Sequence, residues 1–507
     1  MNDARQIKAG VILSYATLAL SNIIALVYTP FMLRMMGQSE YGLYSLAASV
    51  VAYLTIMDFG LGNAIVRYTA KYNAEGKRQE QYSLFGMFFI IYIAIGILSL
   101  LAGGWLYFHV DFLFDQTMTT TELLEARIMI LLMVLNIAFT FPLSLFPSII
   151  IAYENFIFHK VVNLLRILLQ PCIMVPLLLI GHKAVSMVVV TTILNLLTLL
   201  VYTWYCFSRL HIKVKFLVFD KHLLKEISAY SFYVFLTIVV DRAFWSTGQF
   251  ILGMLSGTKE VAIYSLVVQL CNYYMSFSLA ISSVFLPKIT HYVVNGKSME
   301  EISDMFIKIG RIQFIVLGYI LFGFILFGKP FIHYWAGAGY EQVYPLTVLL
   351  MIPQTIPLIQ NLGISILQAQ NRQKFRSYLN VTVALGSVFV GYRLTEQFGI
   401  IGCAASTSGA LLLGHGLILN WYYKNKIKID IFSFWRQILK LLASFACSSA
   451  IAFAFTFLFQ GDGLGKLFVE FIIYTTSAIL LLWKYSCNDL EKRYLSYPLN
   501  KIKEMYA

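Results

Sequence analysis

The sequence predicts an all-α polytopic membrane protein of about 14 transmembrane helices, built as two pseudo-symmetric six-helix bundles followed by a C-terminal helix pair. Three observations predict it: composition, a series of long apolar runs, and an internal repeat. Of 507 residues, 59% are apolar and 12% charged, with a mean hydropathy of +0.74, whereas soluble chains carry about 25% charged residues. Too few charges are present to cover a water-soluble body of this size, which excludes a soluble enzyme, a disordered chain and a disulfide scaffold. The net charge of +13 raises the question of nucleic acid, but the cations sit in short clusters between apolar runs, with no continuous basic face. Nucleic acid is therefore not expected as a partner.

Each apolar run is long enough to cross a hydrocarbon core of about 30 Å, which takes about 20 helical residues. The first, Ala9 to Leu33, follows Arg5 and Lys8 as a signal sequence would. At about 25 residues it is too long for an h-region, and no small-residue cleavage site ends it, so it is read as a retained helix. Tyr41 to Phe59, Leu84 to Val110, Leu123 to Pro142, Val161 to Ile180 and Val185 to Phe207 follow. A second series runs Tyr230 to Leu255, Val261 to Leu286, Ile312 to Phe327, Val343 to Leu367, Leu379 to Phe398 and Ile401 to Tyr423. Ile438 to Phe459 and Leu467 to Trp483 close the chain. These runs are continuous rather than alternating, which argues against a β-barrel, and unpaired backbone in lipid is costly, so all are read as helices.

Charge placement tests this assignment. With a cytoplasmic N-terminus, about 29 of the 38 cations fall on one side and about six on the other, the bias expected of cytoplasmic loops. The majority includes Arg67, Lys71, Lys77 and Arg78, Lys288 to Arg311, Arg372, Lys374 and Arg376, Lys424 to Lys440, and the tail cations Arg493, Lys501 and Lys503. Both termini are accordingly placed in the cytoplasm.

Ala152-Tyr-Glu-Asn-Phe-Ile-Phe158-His-Lys-Val-Val-Asn163 lines up without gaps on Ala369-Gln-Asn-Arg-Gln-Lys-Phe375-Arg-Ser-Tyr-Leu-Asn380, an offset of 217 that also carries Trp204-Tyr205 onto Trp421-Tyr422. Tyr44-Ser45-Leu46 matches Tyr264-Ser265-Leu266 at an offset of 220. The repeat predicts an N-lobe over 1–215, a C-lobe over 216–428, and an extra helix pair with a tail over 429–507. Six helices per half is an even number, so the halves share an orientation, and transporters built this way hold substrate between them.

Three stretches carry a family resemblance: Leu33-Arg-Met-Met-Gly37 with Glu40-Tyr-Gly-Leu-Tyr-Ser-Leu46; Asp58-Phe-Gly-Leu-Gly62 with Arg67-Tyr68; and Asp241-Arg242 with Tyr264-Ser-Leu and Pro287. The chain resembles the O-antigen and capsular repeat-unit flippases of the polysaccharide transport family, within the multidrug/oligosaccharidyl-lipid/polysaccharide exporter superfamily. The resemblance implies a bacterial inner-membrane protein that turns an undecaprenyl-diphosphate-linked oligosaccharide from the cytoplasmic to the periplasmic leaflet by alternating access. Its expected partners are that lipid-linked oligosaccharide, membrane lipids and other polysaccharide assembly proteins. An ion-coupled multidrug antiporter of the same superfamily is the alternative. An integral-membrane polymerase or acyltransferase is disfavoured, since no large external loop or His/Asp constellation accompanies the helices.

Ionisable and amide side chains inside spans are functional candidates by default, because lipid makes them costly. Asp241 and Arg242 fall near the middle of the seventh span, and at an offset of 219 Asp241 corresponds to Asn22 in the first. Arg166 in the fifth span and Arg311 at the start of the ninth carry the planar donor fork that suits a diphosphate. Arg67 is expected at the cytoplasmic mouth. Asp58, like Asp241, is a candidate for ion coupling, with helix capping as the rival role. Pro353, Gln354, Pro357, Gln360 and Asn361 make the tenth span polar and bent, suited to a cavity wall or a hinge. Arg393 and Glu396 read as an i, i+3 ion pair. The eight His and six Cys show no metal-ligand or disulfide spacing, and no phosphate-binding loop is present. No cofactor, metal or enzymatic activity is expected.

Overall fold

The computed structural model of the chain describes residues 3–216, 221–370, 372–458, 464–488 and 491–492. The tail cations Arg493, Lys501 and Lys503 lie outside the described residues. Among the described residues all regular structure is helical. In order the helices are α1 (Asp3–Met36), α2 (Gln38–Ala52), a 3-10 turn (Tyr53–Asp58), α3 (Leu61–Ala74), α4 (Arg78–Phe108), α5 (Val110–Phe114), α6 (Thr120–Leu143), α7 (Leu145–Ala152), α8 (Phe156–Leu179) and α9 (Ala184–Ser208). There follow α10 (Lys221–Trp245), α11 (Thr247–Leu255), α12 (Thr258–Val294), α13 (Met299–Ala336), α14 (Val343–Ile359), α15 (Asn361–Ala369) and α16 (Gln373–Leu411). A π-helical stretch (Leu412–Leu419), α17 (Asn420–Tyr422) and a second π stretch (Tyr423–Ile427) lead to α18 (Ile431–Leu458), α19 (Leu464–Leu481) and a last π stretch (Leu482–Ser486).

Eleven helical runs among the described residues are long and apolar enough to cross a membrane, or twelve when the bent pair Thr258–Phe285 and Pro287–Val294 counts as one. The sequence predicts about fourteen. Two of its spans share the single run Gln373–Ile427, interrupted at Gly399 (φ 56°, ψ −139°). A third, Tyr230 to Leu255, is helical as α10 and α11 but is not among the eleven, its middle being diluted by Asp241, Arg242, Ser246, Thr247 and Gln249. Many large apolar side chains point outward, among them Leu101, Phe389 and Leu480 at about two-thirds exposure. For a helix in lipid that surface is the favourable one.

The chain divides into two compact units, residues 1–265 with 384–403, and residues 266–383 with 404–507. In the first, Phe85, Phe88, Tyr92, Leu145, Ile149 and Ile150 are fully buried and make one core with Ala64 and Ile65. In the second, Tyr274, Phe306, Phe434, Phe445 and Tyr474 are fully buried.

The repeat is written into the backbone as well as the sequence. Gly37 (φ 82°) recurs as Gly257 (φ 97°), and Gly76 (φ 70°) as Gly296 (φ 64°), both at the offset of 220. The turn bond Lys77 N to Tyr72 O (3.0 Å) recurs as Lys297 N to Tyr292 O (3.1 Å). At the offset of 217, Phe158 stacks on Tyr205 with centroids 3.8 Å apart, and Phe375 stacks on Tyr422 at 4.0 Å. Asn155 N donates to Ile150 O at 3.1 Å as Arg372 N donates to Leu367 O at 2.8 Å. His211 and Lys428, also 217 apart, both adopt positive φ. The α6/α7 break at Ser144 and the α14/α15 break at Gln360 are counterparts too, and prolines flank both: Pro142 and Pro147 at one, Pro357 at the other.

Candidate functional site

Helix breaks decide where the polar side chains go. The string Asp58-Phe-Gly-Leu-Gly ends the 3-10 turn, and Phe59 (φ 51°) and Gly60 (φ 73°) reverse the backbone hand before α3 starts. That reversal leaves the Asp58 carboxylate just before the start of α3, where it accepts from the Tyr92 hydroxyl at 3.0 Å. Tyr92, fully buried, so anchors Asp58 to the core. A second break separates α10 from α11. Asp241 and Arg242 lie in the last turn before it, and the Arg242 carbonyl accepts from Ser246 N at 2.9 Å and Thr247 Oγ1 at 3.4 Å. The Asp241 side chain is exposed; Arg242 is half-buried, its Nε enclosed with no hydrogen-bond partner.

Arg166 heads a polar ladder through α8, α9 and α6. Its Nη1 donates to Asn195 Oδ1 at 2.9 Å, and Asn195 Nδ2 donates to Asn136 Oδ1 at 2.9 Å and Thr140 Oγ1 at 2.8 Å. Asn195 is therefore a positioning residue: it holds one nitrogen of the fork through an amide that is itself held on a third helix. Asn22 is half-buried in α1, and Arg67 is exposed on α3 with its guanidinium 5.8 Å from the Tyr68 ring.

The remaining candidates belong to the second unit. Gln354 is buried and donates to the Cys271 carbonyl at 3.3 Å; Gln360 donates to Asn420 Oδ1 at 2.8 Å; Asn361 donates to Ser278 Oγ at 2.8 Å. Arg311 corrects the expectation set for it. Its Nε and Nη2 donate to Glu491 at 2.6 and 2.7 Å, and Nη2 also reaches the Ser486 carbonyl at 2.6 Å. With Arg311 and Glu491 side chains only 3% and 4% exposed, the fork is committed to a buried ion pair rather than presented to a ligand. Asp58, Arg166, Arg311, Gln354, Gln360 and Asn361 each take a partner outside the predicted set. Arg393 and Glu396 pair at 3.2 Å, as their spacing predicts.

A cavity of about 610 Å³ in the first unit contains none of the predicted residues. Its wall includes Ser39, Glu40, Glu122, Glu125, Lys183 and Thr258. Glu122 accepts from the hydroxyls of Ser39 and, at 2.9 Å, Thr258, and Ser39 and Thr258 lie 2.9 Å apart. One carboxylate at the start of α6 so ties the first turns of α2 and α12. Ser39 and Thr258 are one residue apart in repeat register, at an offset of 219, but nothing local marks Glu122 as their partner. Among the described residues no group of three or more His, Cys, Asp or Glu side chains could hold a metal ion.

Comparison with known proteins places these features in a family. The chain is 21% identical over 420 residues to the "Putative O-antigen transporter" of Shigella flexneri, covering 80% of this chain and 94% of that one. Its fold is similar to that of the lipid II flippase MurJ in an inward closed conformation (TM-score 0.70, 15% identity), over 96% of this chain and 99% of that one. It is also similar to the MATE multidrug transporter DinF-BH (TM-score 0.60, 15% identity), over 83% of this chain and 95% of that one. Residues 7–293 match the profile of the polysaccharide biosynthesis protein family, and this multi-pass membrane protein belongs to that family.

Proposed function

We propose that the protein is a flippase that moves undecaprenyl-diphosphate-linked oligosaccharide repeat units from the cytoplasmic to the periplasmic leaflet of the bacterial inner membrane by alternating access, with both termini in the cytoplasm. The observation that carries the reading is Arg166: a cation inside a span, oriented through one nitrogen by Asn195, with the rest of its planar fork suited to a diphosphate. The O-antigen transporter relative and the fold shared with a lipid II flippase support it. Asn22, Arg67, Asp241, Arg242, Gln354, Gln360 and Asn361 stay on the list of substrate contacts, and Asp58 and Asp241 on that for ion coupling. The MATE likeness supports the rival, an ion-coupled drug antiporter.

A deletion strain separates the two. A flippase leaves undecaprenyl-linked oligosaccharide accumulating on the cytoplasmic face, and a plasmid copy clears it. Normal surface glycan in that strain, together with heightened drug sensitivity, would reject the flippase and favour the antiporter. Arg166→Ala, Asp241→Ala and Arg242→Ala should each lower export with the protein still inserted.

A further inference from the structure

At one place inside the membrane the second half of the chain gathers more unpartnered polar groups than the matching place in the first half. Arg376, in the first turn of α16, is half-buried, joins no ion pair among the described residues, and has its Nε enclosed with no hydrogen-bond partner. Around it the Tyr423 hydroxyl, His415 Nδ1 and Gln360 Oε1 are likewise buried with no hydrogen-bond partner. The start of α16 packs against the segment that bears His415 and Tyr423: Phe375, next to Arg376, stacks on Tyr422 at 4.0 Å, and Arg372 Nη1 donates to the Lys426 carbonyl at 2.8 Å. Gln360 is tied to the same spot: its Nε2 donates to Asn420 Oδ1 at 2.8 Å, and Asn420 Nδ2 donates to the His415 carbonyl at 2.8 Å. Tyr423 is fully buried, with its hydroxyl pressed against Gly363, where an added methyl would come within 2.4 Å.

The repeat shows that the fold requires only part of this polarity: His159, the counterpart of Arg376, is also half-buried with an enclosed, unpartnered Nδ1. At the offset of 217, Arg376, His415, Tyr423 and Gln360 fall on His159, Thr198, Cys206 and Leu143. The frame around them is the same: Ile212 N donates to Cys206 O at 3.2 Å, and Ile429 N to Tyr423 O at 3.0 Å. In the first half Thr198 and Cys206 satisfy themselves on the carbonyls of Leu194 (2.7 Å) and Phe146 (3.5 Å). In the second half the segment bearing His415 and Tyr423 is wound as π-helix over Leu412–Leu419 and Tyr423–Ile427. Such winding is rare and concentrates at functional sites. An arginine half-buried here, in no ion pair among the described residues, calls for an anion.

We propose that Arg376, His415 and Tyr423 form a receptor for a phosphoryl anion, and that in the flippase reading on which this rests its ligand is the diphosphate joining glycan to lipid carrier. Arg376 supplies the charge and the fork, Tyr423 and His415 supply neutral donors, and Gln360 Oε1 offers an acceptor to a ligand hydroxyl. Arg376 and Tyr423 lie about one turn inside helix ends that the charge bias assigns to the cytoplasm, where such a substrate is loaded, and His415 lies about two turns deeper.

The test uses full-length protein in phosphatidylcholine nanodiscs, titrated with undecaprenyl diphosphate, undecaprenol or inorganic diphosphate, with binding and thermal shift as readouts. Undecaprenyl diphosphate should stabilise the wild type and undecaprenol should not. Arg376→Gln should weaken binding at least tenfold and abolish the shift, yet melt no lower than wild type without ligand, because no ion pair among the described residues is lost. Tyr423→Phe, which keeps packing and charge, should weaken binding severalfold and guards against a misfolded Arg376 variant. Binding within twofold of wild type in both variants would overturn the site. Equal competition by inorganic diphosphate, or by phosphatidylglycerol vesicles, would make a free anion or a headgroup the ligand and overturn the substrate assignment. The deletion strain keeps the two failures apart. If deletion blocks export and Arg376→Gln restores it fully, the site falls and the flippase stands. If deletion leaves export intact, the flippase reading itself falls.

Discussion

Replacing Glu491 by Ala leaves the Arg311 guanidinium buried with only the Ser486 carbonyl and a weak 3.5 Å contact to the Gln437 carbonyl. The wild-type pair is bidentate at 2.6 and 2.7 Å and almost wholly enclosed. Removing one partner of such a pair costs about 3–5 kcal/mol, because the remaining charge stays desolvated. Spread over a local opening of the segment that holds Glu491, that is about two to three and a half decades in the opening equilibrium, at about 1.4 kcal/mol per decade. Hydrogen exchange at the Cys487 amide, which donates to the Leu482 carbonyl at 2.7 Å, reports this opening without touching the mutated carboxylate. The double variant Arg311→Leu with Glu491→Leu should recover protection to within about 1 kcal/mol, since apolar residues of similar volume often replace a buried pair without loss. It should also recover glycan export. Protection within threefold of wild type in Glu491→Ala would refute the structural role, and a stable double variant without export would return Arg311 to the substrate site.

Ser39 and Thr258 hydroxyls 2.9 Å apart bring cysteines at these positions within disulfide reach. Oxidation of Ser39→Cys with Thr258→Cys should stop export at least tenfold and reductant should restore it; full export by the cross-linked protein would show that α2 and α12 need not part here. Gly42→Ala would set a Cβ 1.8 Å from the Thr258 carbonyl oxygen, a backbone clash costing about 3 kcal/mol, whereas Gly104→Ala meets nothing within 4 Å and should be neutral or mildly stabilising. Thermal unfolding in detergent compares the two, and equal melting temperatures would contradict the close approach. Asp58→Ala should cost about 1–3 kcal/mol by taking the acceptor from the buried Tyr92 hydroxyl and Asp58→Asn less, with export following stability. Loss of export by Asp58→Asn at wild-type stability would assign the carboxylate to ion movement instead.

Some of the site was legible before any coordinates. Asp58-Phe-Gly-Leu-Gly announces a break through its glycines, and the backbone reverses there, with Asp58 bonded to Tyr92 of α4. Pro357 and Gln360 mark the bend between α14 and α15. Arg166 stands out because an arginine inside an apolar run is conspicuous, although its partners Asn195, Asn136 and Thr140 are ordinary residues whose meeting depends on three helices packing. The two cations that counting treats alike proved different from the rest: Arg311 and Arg376 both add to the cytoplasmic total, and both are turned inward. A charge tally records which loop a residue is near, not which way it points.

The membrane class, the helical content and the repeat follow from residue-level properties: the cost of transferring each side chain and each backbone group into lipid, and the turn chemistry of glycines that recur at a constant offset. These terms act locally and add along the chain, so the order of residues is enough to read them. Burial and partnership are not local. Arg311 finds Glu491 180 residues away, Glu122 joins Ser39 and Thr258 across 83 and 136, and Arg376 finds no acid at all. Those outcomes, the last of them read among the described residues, depend on which helix faces meet, and only the packed structure sets them.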